Sequence, residues 1–421
     1  MATYVFDTIS ASDAAGFTAS DRLFFESPSL ATLTITDNPA TTTVLSTTVE
    51  SITLSAPGHS ATFAAGGLSS ASIGGNVIFE NGDSLLIGNS NSQHLNLIDG
   101  GHGHGDKVLG FDGDDTISGS STSNDTIDGG DGNDVIIGSS GFTDAGGHFT
   151  ENDYYMGGAG NDHIIGGIGN DHIYGNLISS AAGSADGDDS LAGGAGNDYI
   201  QGNGGNDVID GGDGNDRLYG GAGDDTVRGS DGQDYLQGNK GNDLLRGGVG
   251  NDTLHGGADN DQLFGDTGND QLFGDVGDDT LNGGGGFDTL TGGAGADIFR
   301  FGSGDASNIN VGVTTGANAG LTDLILDFNP GEDHIKLPFN SVTVLHQAAG
   351  ITLTSVDAAQ TYAQTLLDAH TGNHEVAAVT VGHDAYLFYN TTGVDGTLIN
   401  QAIKVHSVTG ATFQSDGSDF V

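Results

Sequence analysis

From Gly193 to Arg300 an apolar side chain recurs at every ninth position: Ile200, Ile209, Leu218, Val227, Leu236, Leu245, Leu254, Leu263, Leu272, Leu281, Leu290 and Phe299. A period of nine is neither the 3.6 of an amphipathic helix nor the 2 of a half-buried strand, so the unit is larger than a single element. Within each unit the apolar residue U sits in an x-U-x triplet, long enough only for a very short strand. The other positions read G-G-x-G-(N/D)-D, the residues of a tight turn with positive φ. Turn and strand therefore alternate every nine residues. Two repeats make one coil, and residues eighteen apart stack along the same side.

Earlier nonapeptides are less regular, as in GFDGDDTIS (110–118), GGDGNDVII (129–137), GGAGNDHII (157–165) and GGIGNDHIY (166–174), with insertions at 138–151 and 176–185. Before them the pattern is different. Residues 1–98 hold short alternating runs such as ATLTITD (31–37) and ESITLSA (50–56), which predict a small β domain closing with NVIFENGDSLLIGN at 76–89. After Phe301 strand-like runs return in LTDLILDFN, DHIKLP, SVTVLHQ and DAYLFYN. One helix is predicted over 358–370, with Ala359, Tyr362, Ala363 and Leu366 on one face, Asp357 as its cap and Gly372 at its end. The fold class is all-β: a parallel β-roll over 99–300, flanked by an N-terminal β domain (1–98) and a mostly β C-terminal cap (301–421).

Composition sharpens this picture. Only 35% of the 421 residues are hydrophobic and 76 are glycine, so one aliphatic per nine residues must carry the core. That is too little to offset the entropy of ordering the other eight. Against nine Lys and Arg stand 57 Asp and Glu, a net charge of −48, which excludes nucleic acid and anionic membrane surfaces as partners and points to cations. Without cysteine there are neither disulfides nor thiolate metal sites. The start MATYVFDTISASD has no basic and apolar leader, and no apolar run is long enough to span a bilayer, so export is expected to use another route.

The chemistry lies in the sixth position of the repeat. Asp198, Asp207, Asp216, Asp225, Asp234, Asp243, Asp252, Asp261, Asp270, Asp279, Asp288 and Asp297 occupy it in the unbroken run, and Asp115, Asp125, Asp134, Asp162, Asp171 and Asp189 occupy it in the earlier copies. Stacking brings these carboxylates into columns whose repulsion opposes folding. A hard divalent cation removes the conflict, because carboxylates and turn carbonyls make the all-oxygen site that Ca²⁺ prefers and Mg²⁺ fits less readily. The twelve repeats form ten pairs eighteen residues apart, so about ten ions is the ceiling. The run carries 20 Asp and five Lys or Arg, a net of −15. Three positions depart from the pattern: SSTSNDTID (120–128) lacks glycines ahead of Asp125, Asp259 stands at a glycine position, and Ala296 replaces the acid or amide at position five.

On these residues the chain resembles the RTX family of secreted bacterial calcium-binding proteins over roughly residues 100–300. GGAGADIFRF (292–301) followed by TDLILDFNPGEDHIKL (322–337) is similar to the repeat terminus of serralysin-type proteases. The resemblance implies a β-roll that folds on extracellular calcium, and type I secretion from a Gram-negative cell through an exporter that reads an uncleaved C-terminal signal. SDGSDFV at the C-terminus is similar to such a signal. The protease itself is excluded, since no HExxHxxGxxH zinc motif is present and residue 378 is Ala after His374 and Glu375. No GxSxG elbow of a lipase is present either.

Other candidates are weaker. His102, His104 and Asp106 in GGHGHGD could bind a transition metal, although a variant repeat explains them as well. His163 and His172 fall on opposite sides of the coil as solvent-facing strand residues. The third-position row, Ala195, Gly204, Asp213, Ala222, Asp231, Lys240, Val249, Ala258, Thr267, Val276, Gly285 and Ala294, is too mixed for a regular ice-binding face. Two functional readings follow. One is a non-enzymatic, calcium-stiffened structural component of a surface layer, filament, adhesive or biofilm, with self-assembly or a cell-surface partner. The other is a roll that serves as the secretion and folding module of a small N-terminal ligand-binding or catalytic payload.

Overall fold

The computed structural model describes residues 107–119, 124–138, 152–176, 187–302, 323–326, 328–329, 333–337, 343–346, 353, 355–368, 375–389 and 401–406, with eight strands in residues 3–96. The features expected at residues 102–106, over most of both insertions and at the C-terminal signal lie outside these. Two units, Met1–Val208 and Ile209–Val421, are described in turn.

In the first unit, two stacks of parallel strands form. One runs through Lys107–Asp112, Thr126–Asp131, Tyr154–Ala159, His172–Tyr174 and Tyr199–Gly204. The other runs through His94–Asn96, Thr116–Ser118, Val135–Ile137, His163–Ile168 and Ser190–Ala195. Successive strands of the chain alternate between the stacks, as a two-repeat coil requires. His163 and His172 lie in different stacks and both are exposed, as expected. The insertions are absorbed without loss of face: Ile136 pairs with Ile164, and Ile164 with Leu191. The calls on 31–37, 50–56 and 76–89 correspond to strands Thr34–Asn38, Ser51–Ala56, Val77–Phe79 and Ser84–Ile87. Thr34–Asn38, Ser51–Ala56 and His59–Ala64 form an antiparallel sheet.

The second unit holds the regular run. Arg217–Ala222, Tyr235–Lys240, Thr253–Ala258, Gln271–Val276 and Thr289–Ala294 stack in parallel, and so do Thr226–Asp231, Leu244–Val249, Gln262–Thr267, Thr280–Asn282 and Ile298–Arg300. Leu245 pairs with Leu263 and Leu254 with Leu272, eighteen residues apart. All twelve apolar residues of the repeats are at most 1% exposed. The flanking x residues are half-buried or exposed, the alternation expected of a strand with one face on a thin core.

Parallel stacking continues past the repeats. Asp323–Ile325 adds to Thr289–Ala294, and His334–Lys336 adds to Ile298–Arg300. Gln401–Val405 then adds to Asp323–Ile325 and begins an antiparallel set with Asp384–Tyr389 and Glu375–Val381. A helix, Val356–Asp368, places Ala359 and Ala363 against Ala377, Val379, Tyr386, Phe388 and Ala402, with Tyr362 and Leu366 packed alongside. Its predicted face is confirmed but its cap is corrected. Ser355 Oγ accepts from the Ala358 N–H at 3.2 Å, so capping falls to Ser355 while Asp357 lies within the helix.

Because each coil has a single buried aliphatic per strand, Leu254→Ala is expected to cost about 2–4 kcal/mol in calcium-saturated protein. Gln262→Ala, on the exposed side of the neighbouring strand, is expected to change stability by less than about 0.5 kcal/mol. Denaturant midpoints measure both, and equal shifts would remove the thin core from the account.

Candidate metal centre in the turns

The glycines of the turn are fixed by crowding as well as by conformation. Positions two and four of the repeat take positive φ in most coils, including those with Asn203, Ser230, Asn239, Asp266 and Asp275 at position two and Asp259 at position four. Asn and Asp enter this region at modest cost. At position one the constraint is contact: a β-carbon on Gly247 would collide with the Asp252 carboxylate and with the Gly265 carbonyl oxygen of the next coil. At position four a β-carbon on Gly250 would strike the Gly232 carbonyl. The turns thus press carboxylate and carbonyl oxygens against bare Cα atoms. Side chains larger than hydrogen would fill the space these oxygens share.

The sixth-position aspartates stand in two columns. Asp216, Asp234, Asp252, Asp270 and Asp288 make one, and Asp225, Asp243, Asp261, Asp279 and Asp297 the other. Each main-chain N–H donates to Oδ1 of the aspartate one coil on, at 2.8–2.9 Å. In the first unit the same bonds join Asp115 to Asp134, Asp162, Asp189 and Asp207 in turn. They also join Asp125 to Asp153, Asp171 and Asp198. Every predicted aspartate is buried at 3% exposure or less.

Three members of these columns were not among the expected residues. Asp153 follows the first insertion, where missing glycines hide the repeat. Asp323 and Asp333 follow the last repeat and accept from the Asp288 and Asp297 N–H groups at 3.0 and 3.1 Å. Their signal was an aspartate just ahead of an x-U-x triplet, in DYY, DLI and DHI, without the full set of repeat glycines.

The second carboxylate oxygen carries the chemistry. Oδ2 of Asp134, Asp234, Asp243, Asp252, Asp261, Asp270 and Asp279 is buried and has no hydrogen-bond partner. Burying an unsatisfied ionised oxygen costs several kcal/mol unless an ion or a proton meets it. Burial accordingly pushes Asp261 up to about 8, Asp234 and Asp270 to about 7, and Asp134, Asp243, Asp252 and Asp279 to about 6. The N–H bond to Oδ1 pulls each value down, and neighbouring carboxylates push it up. A bound Ca²⁺ would supply the positive charge these oxygens lack, held by Oδ2 and the adjoining turn carbonyls. Among the described residues no cluster of three or more His, Cys, Asp or Glu side chains can hold a metal. The ligands must therefore come largely from main-chain carbonyls, which suits a hard cation and not a transition metal.

The outer rim has a ladder of its own, running the other way. The fifth-position N–H donates to the Asn or Asp side chain one coil earlier, as from Asn242 to Asp224, Asn269 to Asn251 and Asp278 to Asn260, at 2.7 Å. Ala296 lacks the acid or amide of position five, yet its N–H donates to Asp278 at 2.8 Å. Asp259 likewise keeps the turn, with φ 78° and its carbonyl in place against Gly277.

A parallel roll with two buried carboxylate columns and oxygen-lined turns defines a calcium-dependent β-solenoid. Residues 109–142, 149–177, 184–218, 210–245, 219–254, 237–272 and 273–306 match the family described as the RTX calcium-binding nonapeptide repeat, and these segments are such repeats. No curated protein matches the chain. Among solved structures, the AlgE6R3 subunit of the Azotobacter vinelandii mannuronan C5-epimerase is 28% identical over 42% of this chain and 80% of its own, with a TM-score of 0.27. The AlgE6R2 subunit of the same enzyme is 23% identical over 51% and 91%, with a TM-score of 0.22.

Two outcomes follow. Gly247→Ala should disrupt its coil even in saturating calcium, whereas Gly285→Ala, at an open outward position, should be tolerated; circular dichroism at matched calcium separates them. The second concerns pH. The folded-state carboxyl values lie above the ordinary 3.8 of an aspartate, so without calcium the folded roll binds more protons than the unfolded chain. That stability is complete below about pH 4 and is lost as pH rises through about 6 to 8. In chelator, strand signal is therefore expected to grow as pH falls from 8 to 5, and the calcium needed for folding should rise with pH over the same range. A pH-independent calcium midpoint would contradict this.

Proposed function

We propose that this protein is a secreted, non-enzymatic structural component whose roll folds on extracellular calcium and stiffens a cell-surface layer, filament or matrix. The observation that carries the reading is the pair of carboxylate columns with buried, unsatisfied Oδ2 atoms. It makes folding conditional on a cation that is scarce in the cytosol and at millimolar levels outside, where a Kd of about 10⁻⁴ to 10⁻³ M suffices. Export as an unfolded chain by a type I exporter fits that conditionality, and about ten ions in residues 193–300 fit the count of stacked pairs. No helix among the described residues is long and apolar enough to cross a membrane. The roll's outer surface bears a row of rings, Tyr219, Tyr235, His255 and Phe273, with successive centroids 5.9, 5.7 and 4.5 Å apart, and well-exposed Val249 and Val276. Regular outward rows of this kind favour lateral contacts. The alternative, a roll serving an N-terminal payload, has no paired acid–base or nucleophile motif in residues 1–98 to support it.

Electron microscopy and light scattering with and without about 5–10 mM calcium test the reading. Ordered sheets or fibres are expected only with calcium. A monomer at high concentration in calcium would overturn the structural role while leaving calcium-dependent folding intact.

A further inference from the structure

At the first insertion the roll solves its charge problem differently. The buried core position of a repeat is aliphatic at Ile117, Ile127, Ile136, Ile164, Ile173 and Leu191, but Tyr155 takes it after the insertion, fully buried. Its hydroxyl donates to Asp153 Oδ2 at 2.6 Å and lies 3.5 Å from the Gly166 carbonyl oxygen. Asp153 Oδ1 meanwhile accepts from the Asp125 N–H at 2.7 Å, and the Asp153 N–H donates to Asp171, so the residue is a full member of its column.

The position of the hydroxyl is informative. In the other coils a β-carbon on the first glycine would meet the carboxylate oxygen of its own repeat and the carbonyl of the next coil: Asp134 and Gly157 at Gly129, Asp162 and Gly175 at Gly157, Asp171 and Gly193 at Gly166. At Gly138 the same β-carbon would meet the Gly166 carbonyl and, in place of a carboxylate, the Tyr155 hydroxyl. The residues ahead of Asn152 are Phe149, Thr150 and Glu151, where regular turns have glycine at positions two and four. At this coil Asp153 Oδ2 is thus met by an O–H donor of the protein itself.

We propose that Tyr155 stands in for a calcium ion, its hydroxyl neutralising the demand of Asp153 so that the insertion-bearing coil closes without metal. A related solution appears in the second unit. Asp333 accepts from the Asp297 N–H through Oδ1 and from the Asn329 N–H through Oδ2, at 3.1 and 2.7 Å. Tyr155 thereby gives the roll a calcium-independent anchor beside a loop that interrupts the repeats. The inference rests on the calcium reading of the other coils.

The test counts calcium in full-length protein by elemental analysis after gel filtration at fixed free calcium, with circular dichroism confirming folding. Asp252→Asn is expected to lose at least one ion. Asp153→Asn is expected to lose none, since its amide can still donate to the Tyr155 oxygen. Loss of an ion in both variants would overturn the role of Tyr155, and loss in neither would overturn the calcium reading itself. If Asp153→Asn fails to fold, Tyr155→Phe removes a single atom and decides the matter. It is expected to keep the wild-type ion count and to raise the calcium midpoint on the order of twofold, because one charge-assisted bond is lost across many ions. An unchanged midpoint with an unchanged count would reduce Tyr155 to core packing and overturn the proposal.

Discussion

One hydrogen bond sets the terms for the whole roll: the N–H of a sixth-position aspartate donating to the carboxylate of the aspartate one coil on. It fixes the spacing of adjacent turns, because a chain whose sixth residue slipped would leave a buried donor and a buried charge unpaired together. It also creates the need it cannot meet. Using Oδ1 for the coil-to-coil bond leaves Oδ2 beside the first glycine of its own repeat, where the carbonyl of the next coil also converges. A fold built on this bond needs positive charge in its turns, and a cation bound there would be part of the folding reaction and not a later ligand.

The glycine content follows from the same bond. Asp252 Oδ2 and the Gly265 carbonyl converge on the Cα of Gly247, so the first glycine is required by contact. The second takes positive φ and lies close to a carbonyl of the preceding coil, yet Asn, Ser and Asp stand there at 203, 230, 239, 266 and 275. Two of these replacements find side-chain partners: Asp266 lies 3.5 Å from Arg246, which also sits over the Phe264 ring, and Asp275 lies 3.1 Å from the His255 ring nitrogen. DQLFGD at 261–266 and 270–275 thus carries one acid that faces the turn interior and one that faces outward, with different partners.

Much of this was legible in the residues. The ninefold spacing from Ile200 to Phe299 gave the core, and the invariant sixth aspartate gave both columns, because a solenoid turns sequence period directly into spatial register. Legibility failed where position is set by contact across coils instead of along the chain. Asp153, Asp323 and Asp333 join the columns without glycine turns before them, since the strand pairing of Tyr154, Asp323 and His334 carries them into place. Ser355 displaced Asp357 as the helix cap, a shift of two residues that the apolar face alone does not determine. Ala296 and Asp259 looked damaging as letters, yet the first needs only its N–H and the second only its φ.

The irregular coils explain why the regular ones are regular. A buried aspartate oxygen in this fold has three ways to be satisfied: a cation, as the orphaned Oδ2 atoms of Asp234 to Asp279 require; a hydroxyl, as at Tyr155; or a main-chain N–H, as at Asp333. The last two are local bonds made by one coil and need no ion, but each needs a side chain or turn that differs from its neighbours. Only the cation lets identical coils be added without limit, because it asks the same oxygens of every turn. A chain that repeats DQLFGD nearly unchanged has therefore committed its stability to the medium. The places where it stops repeating are the places where it can stand without it.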